Sequence, residues 1–115
     1  MSDAGTVELA PGIVYHTALT GTATAPALLV PALSNVQSYE VIIVCHGGVA
    51  GAAPHAHVLF GPDANMPLAT LTNAWPLTSG QTVKLKITPA TRWVSAIQGA
   101  SGSTEMFWYV PGRYV

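Results

Sequence analysis

Thr82-Val83-Lys84-Leu85-Lys86-Ile87-Thr88 alternates along its whole length. Val83, Leu85 and Ile87 share one side while Thr82, Lys84, Lys86 and Thr88 share the other, the two-residue period of a strand with one dry face and one wet face. The segment predicts a strand that lays three aliphatic side chains on a core and turns two ammonium groups to water.

Outward from it, Tyr39-Glu40-Val41-Ile42-Ile43-Val44-Cys45 is apolar on both faces beyond Glu40. That pattern predicts a central strand, or one whose outer face meets another subunit. The closing run Glu105-Met106-Phe107-Trp108-Tyr109-Val110 is also two-sided, and Pro111-Gly112 stops it. The small residues 99–103 read as a hairpin turn that pairs the strand before them with this last one. Proline and glycine punctuate the rest, and between them lie runs rich in Val, Ile, Thr, Tyr, Phe and Trp. Strands are predicted at residues 6–10, 13–20, 27–30, 37–46, 55–60, 69–72, 82–88, 93–98 and 105–110. The fold class that follows is all-β, an antiparallel β-sandwich or jelly-roll-like arrangement of about seven to nine short strands. A chain of 115 residues encloses one such core, so a single domain is predicted over residues 1–115.

Charge is scarce. Asp, Glu, Lys and Arg make up 8% of the chain and hydrophobic residues 50%, where an ordinary soluble domain is about 25% charged. Thr, Ser, Asn, Gln and Gly must therefore form most of the wet surface. Such a surface repels copies of itself weakly and costs little to desolvate, which points to oligomerisation or incorporation into a lattice. A net charge of −1 leaves no basic stripe for phosphates, so nucleic acid is not an expected partner. The uncharged stretch 9–39 is broken by Pro11, Pro26 and Pro31, and no membrane helix is expected. The start, Met1-Ser2-Asp3-Ala4-Gly5, lacks the basic and apolar regions of a secretory signal. The single cysteine, Cys45, excludes an intramolecular disulfide, fits synthesis in a reducing cytoplasm and reads as a small buried hydrophobe.

Chemistry-bearing residues are few. His55-Ala56-His57 would place two imidazoles on one side of a strand, with His46 as a possible third ligand. Two histidines make no closed site, and no carboxylate or thiol has the spacing to complete one, so they are read as polar and outward-facing and no metal or other cofactor is expected. The carboxylates are scattered, and neither a G-x-S-x-G elbow nor S-x-x-K occurs, so no enzyme activity is expected. Asp63-Ala64-Asn65 reads as a turn. Trp75, in Asn73-Ala74-Trp75-Pro76, is the best candidate for an exposed aromatic, at a protein interface or on a ligand such as a sugar ring, as in a carbohydrate-binding module. Trp93 and Trp108 lie in predicted strands of a small core that needs large side chains. Contact residues are expected from loops of tiny or proline-rich composition and from two-sided strands: Trp75, Val49, Pro54, Pro26 and Trp108.

With its uncharged Ala/Gly/Thr/Pro texture and its ending Trp93-Val94-Ser95-Ala96-Ile97-Gln98-Gly99 … Phe107-Trp108-Tyr109-Val110-Pro111-Gly112, the whole chain resembles the small β-sandwich head decoration, or cement, proteins of tailed bacteriophages. The resemblance implies a virion protein made in the host cytoplasm that sits on the capsid surface. Its partners would be the major capsid protein and itself, as a homotrimer. Tail and head-fibre components share the same style, and the resemblance carries over no catalytic residue.

Overall fold

The structure, a computed structural model, describes residues 14–47, 54–99 and 104–111. Among them run β1 (Val14–Leu19), β2 (Ala27–Leu28), β3 (Tyr39–Gly47), β4 (Ala56–Gly61), β5 (Trp75–Leu77), β6 (Thr82–Ile87), β7 (Trp93–Gln98) and β8 (Thr104–Tyr109), with a 3-10 turn at Pro31–Leu33. All pairings are antiparallel. Sheet I has the order β1-β8-β3-β6 and sheet II the order β2-β7-β4-β5, and the two pack as a β-sandwich.

The alternation that predicts β6 also explains its place. β6 is an edge strand of sheet I, with Ile87 buried, Val83 and Leu85 half-buried, and Lys84 and Lys86 exposed. The two-sided run becomes β3, an inner strand as predicted. Register places Tyr15, Trp108, Ile43 and Val83 side by side on neighbouring strands of the inner face. Trp108 is 8% exposed, its ring stacks on Tyr15 at a centroid distance of 5.8 Å, and its indole N–H donates to the Leu29 carbonyl at 2.8 Å. Burying an indole is favourable when its one donor is satisfied, and this bond does so while tying sheet I to the strand–turn region opposite. Trp108 is therefore a core residue, not the contact residue its two-sided strand suggested.

Two further expectations are corrected. Residues 69–72 form no strand: Thr70 and Asn73 close a turn, the Thr70 N–H bonding Asn73 Oδ1 at 2.7 Å and the Asn73 N–H bonding Thr70 Oγ1 at 3.1 Å. Side-chain oxygens that satisfy nearby backbone donors compete with a ladder, and here they win. The strand of this region is β5, a few residues on. Nor do the last two strands make a hairpin. β7 pairs with β2 and β4 in sheet II, whereas β8 pairs with β1 and β3 in sheet I, so the connection between them crosses the sandwich. The predicted strand at 6–10 and the loop carrying Val49 lie outside the described residues.

Sheet II is covered by its own chain on the side away from the core. Ser95 lies between the core residues Val94 and Ala96, points the other way, and is 0% exposed. Its hydroxyl accepts the Ala69 N–H at 3.0 Å and donates to the Thr24 carbonyl at 2.8 Å. Met66 is buried against Gly61, where an added Cβ would lie 2.6 Å from the Met66 Cβ. The segment after β4 thus lies over this face, while the segment before β2 runs along the edge of β7, the Thr24 N–H donating to the Ala96 carbonyl and the Gln98 N–H to the Thr20 carbonyl, each at 2.8 Å.

Candidate functional site

Two surfaces stand out. The first is the outer face of sheet I. Register sets Val14, Tyr109, Ile42 and Lys84 in one row and His16, Phe107, Val44 and Thr82 in the next. Val14 is 64% exposed, and Ile42, Val44, Phe107 and Tyr109 are half-buried by one another. Titratable groups border this stripe: Lys84 and His16 flank its two rows at the sheet edges, and Glu40 with Lys86 and Glu105 with His46 lie beyond them. At one end Lys84 and Glu40 form an exposed ion pair at 3.0 Å; at the other, His16 stacks on Phe107 at 5.5 Å with its Nε2 3.8 Å from Glu105 Oε2. His46, opposite Glu105 in the register, is exposed beside them.

The second surface surrounds Trp75, which is 58% exposed. Pro54, His57, Trp75, Pro76, Thr78 and Gln81 line a shallow concavity, and toward the core Trp75 also borders a small apolar gap among Ile43, Val58, Phe60, Leu77, Val83 and Leu85. The turn between β5 and β6 is pinned at several points. Ser79 N–H donates to His55 Nδ1 at 3.0 Å, Gly80 N–H to the Cys45 carbonyl at 2.8 Å, and Gly47 N–H to Ser79 Oγ at 3.2 Å. Gly80 has φ +84°, a left-handed conformation that favours glycine. Within the turn, Thr78 N–H donates to Gln81 Oε1 at 3.0 Å.

Trp75, Pro54 and His57 thus come together, while Pro26 is half-buried on the segment leading into β2. The histidines are not exposed as predicted, His55 being 4% and His57 8% exposed, although the register puts His57 on the side of sheet II away from the core. Pro54 and Gly99 cover the pair, a Cβ on Gly99 falling 2.9 Å from His57 Cδ2 and 2.6 Å from the Pro54 carbonyl oxygen. His55 is held as an acceptor by Ser79, and His57 Nδ1 is buried without a hydrogen-bond partner among the described residues. His46 belongs to the outer face of the other sheet. Among the described residues no group of three or more His, Cys, Asp or Glu is placed to hold a metal ion.

Burial raises the Cys45 thiol above its ordinary pKa, which keeps it protonated and poorly nucleophilic at neutral pH. Tyr39 is raised too, by burial first, with the Arg92 charge pulling the other way. The clustering around Trp75 was hidden from sequence reasoning because it needs the pairing of β4 with β5, and β5 was not predicted.

No family model matches the chain, nor does any curated protein or solved structure. Among the described residues no helix is long and apolar enough to cross a membrane.

Proposed function

We propose that this protein is a structural subunit that works by repeated surface contact, a decoration protein that binds the outside of a phage capsid and stabilises it. The observation that carries the reading is the outer face of sheet I, a stripe of Val14, Ile42, Val44, Phe107 and Tyr109 across neighbouring strands, with no Asp, Glu, Lys or Arg within it among the described residues. Water is released when such a stripe is covered, at about 25 cal/mol per Å², and little charge has to be desolvated.

Size argues for many copies. Strands spaced about 4.8 Å apart and rising about 3.4 Å per residue make this face a few hundred Å², below the roughly 800 Å² that each partner buries in a standard interface. One such contact binds weakly, and an array of them on a lattice binds tightly through avidity. The partners in this reading are the major capsid protein and further copies of the chain, as a trimer at the capsid surface.

The test is co-sedimentation with tailed-phage capsids, alongside light scattering of the free protein. Binding at a fixed copy number per capsid subunit is expected, with Phe107→Lys abolishing it while the circular dichroism spectrum stays unchanged. A protein that remains monomeric and never sediments with capsids, or a Phe107→Lys variant that binds undiminished, overturns the reading.

A further inference from the structure

We propose that the concavity around Trp75 is a binding site for a neutral saccharide, with one sugar ring stacked on the indole. The site is independent of the sheet I face and does not rest on the assembly reading. Of the large apolar side chains exposed among the described residues, Val14, Val36, Leu68, Leu71 and Trp75, only Trp75 offers a flat aromatic face. A pyranose presents axial C–H groups on one side and hydroxyls around its rim, so it needs a flat apolar platform bordered by neutral hydrogen-bonding groups.

The concavity supplies that combination. The Thr78 hydroxyl and the Gln81 amide stand at its border. Gln81 Oε1 accepts the Thr78 N–H, which orients the amide and leaves its NH2 as a donor without a partner among the described residues. Among the described residues no Asp, Glu, Lys or Arg lines the concavity, so none of them selects a charged ligand. His57 adds a nine-tenths-buried imidazole, with an unpartnered nitrogen, to the lining.

The turn bearing Thr78 and Gln81 is fixed by its bonds to His55, Cys45 and Gly47, so little ordering remains to be done on binding. A peptide is the less suitable occupant. β5 is an edge strand and Pro76 at its centre has no N–H, which removes the donor that strand addition would use. A polyproline segment needs a groove walled by aromatic rings, and among the described lining residues Trp75 is the one large aromatic ring.

Titration of ¹⁵N-labelled full-length protein tests this, reading the Trp75 indole cross-peak against neutral oligosaccharides of glucose, galactose, mannose and N-acetylglucosamine and, separately, a proline-rich decapeptide. Saturable shifts of Trp75 and Gln81 with at least one oligosaccharide are expected. Trp75→Ala should weaken that binding by roughly tenfold or more and Trp75→Phe should restore part of it, as loss and partial return of stacking require. Thr78→Val, at an exposed position, serves as a second variant and should weaken binding with the fold intact. No shift with any saccharide, shifts with the decapeptide alone, or saccharide shifts that persist unchanged in Trp75→Ala each overturn the proposal. Capsid binding by Phe107→Lys is a separate readout, so the two proposals fail independently.

Discussion

The two sheets of this sandwich treat their outer faces in opposite ways. On sheet II the outward positions Ser95, Gly61 and His57 are buried under the chain's own segments, with Leu59, Trp93 and Ile97 half-buried beside them. Sheet I carries Val14, Ile42, Val44, Phe107 and Tyr109, and stands half-open. Where Gly61 and Ser95 interrupt the sheet II face, the segment after β4 approaches closely and pairs a backbone group with the serine hydroxyl. On sheet I, Ile42, Val44, Phe107 and Tyr109 occupy adjoining positions of two rows and stay half-buried.

Substitutions can break this contrast. The largest effect is expected for Gly61→Val, because the new Cβ meets the Met66 Cβ at 2.6 Å; the covering segment must lift, at a cost of about 3 kcal/mol in urea denaturation. Ser95→Ala strands the buried Ala69 N–H and the Thr24 carbonyl and should cost about 2 kcal/mol. On the open face, Ile42→Thr should change stability by less than about 1 kcal/mol, since its side chain is already part-exposed. If it costs as much as Ser95→Ala, the two faces are not different in kind. Smallest of all, Glu40→Gln removes the ion pair with Lys84, whose side chains are 50% and 44% exposed. A change of under about 0.5 kcal/mol is expected, vanishing in molar salt.

Much of the sandwich was legible where one face is dry or where a strand is apolar throughout. β6 shows its alternation directly, β3 its two-sided run, and β7 falls on the residues predicted, 93–98. β5 was not legible because a proline occupies the middle of three residues, and a proline is tolerated there only because the strand lies on an edge, a fact of tertiary structure. The supposed hairpin failed for a related reason. A run of small residues permits a reversal but does not say which sheet the next strand joins; β2 and β4 occupy both edges of β7, while β1 and β3 occupy both edges of β8.

The candidate site was half-visible. Trp75 beside Pro76 advertised an exposed ring, yet its neighbours Thr78, Gln81 and His57 are assembled by the β4–β5 pairing and the pinned turn. The burial of His57 depends on Gly99, distant in sequence, and Trp108 disappears into the core through a bond to Leu29 that no local pattern encodes.

The position of β8 has a kinetic consequence. It is an inner strand of sheet I, bonded to β1 on one side and β3 on the other, with Tyr15 opposite Trp108. Until residues 104–109 have left the ribosome, β1 has no neighbouring strand among the described residues and β3 has only β6, so sheet I stays in two pieces during synthesis. Long-range pairings of this kind place folding among the slow domains, on the order of milliseconds to seconds, and the nascent chain spends that interval with its stickiest strands uncovered. A truncation that removes β8 takes away the strand that joins β1 to the rest of sheet I, and is expected to yield an aggregating chain instead of a smaller sandwich.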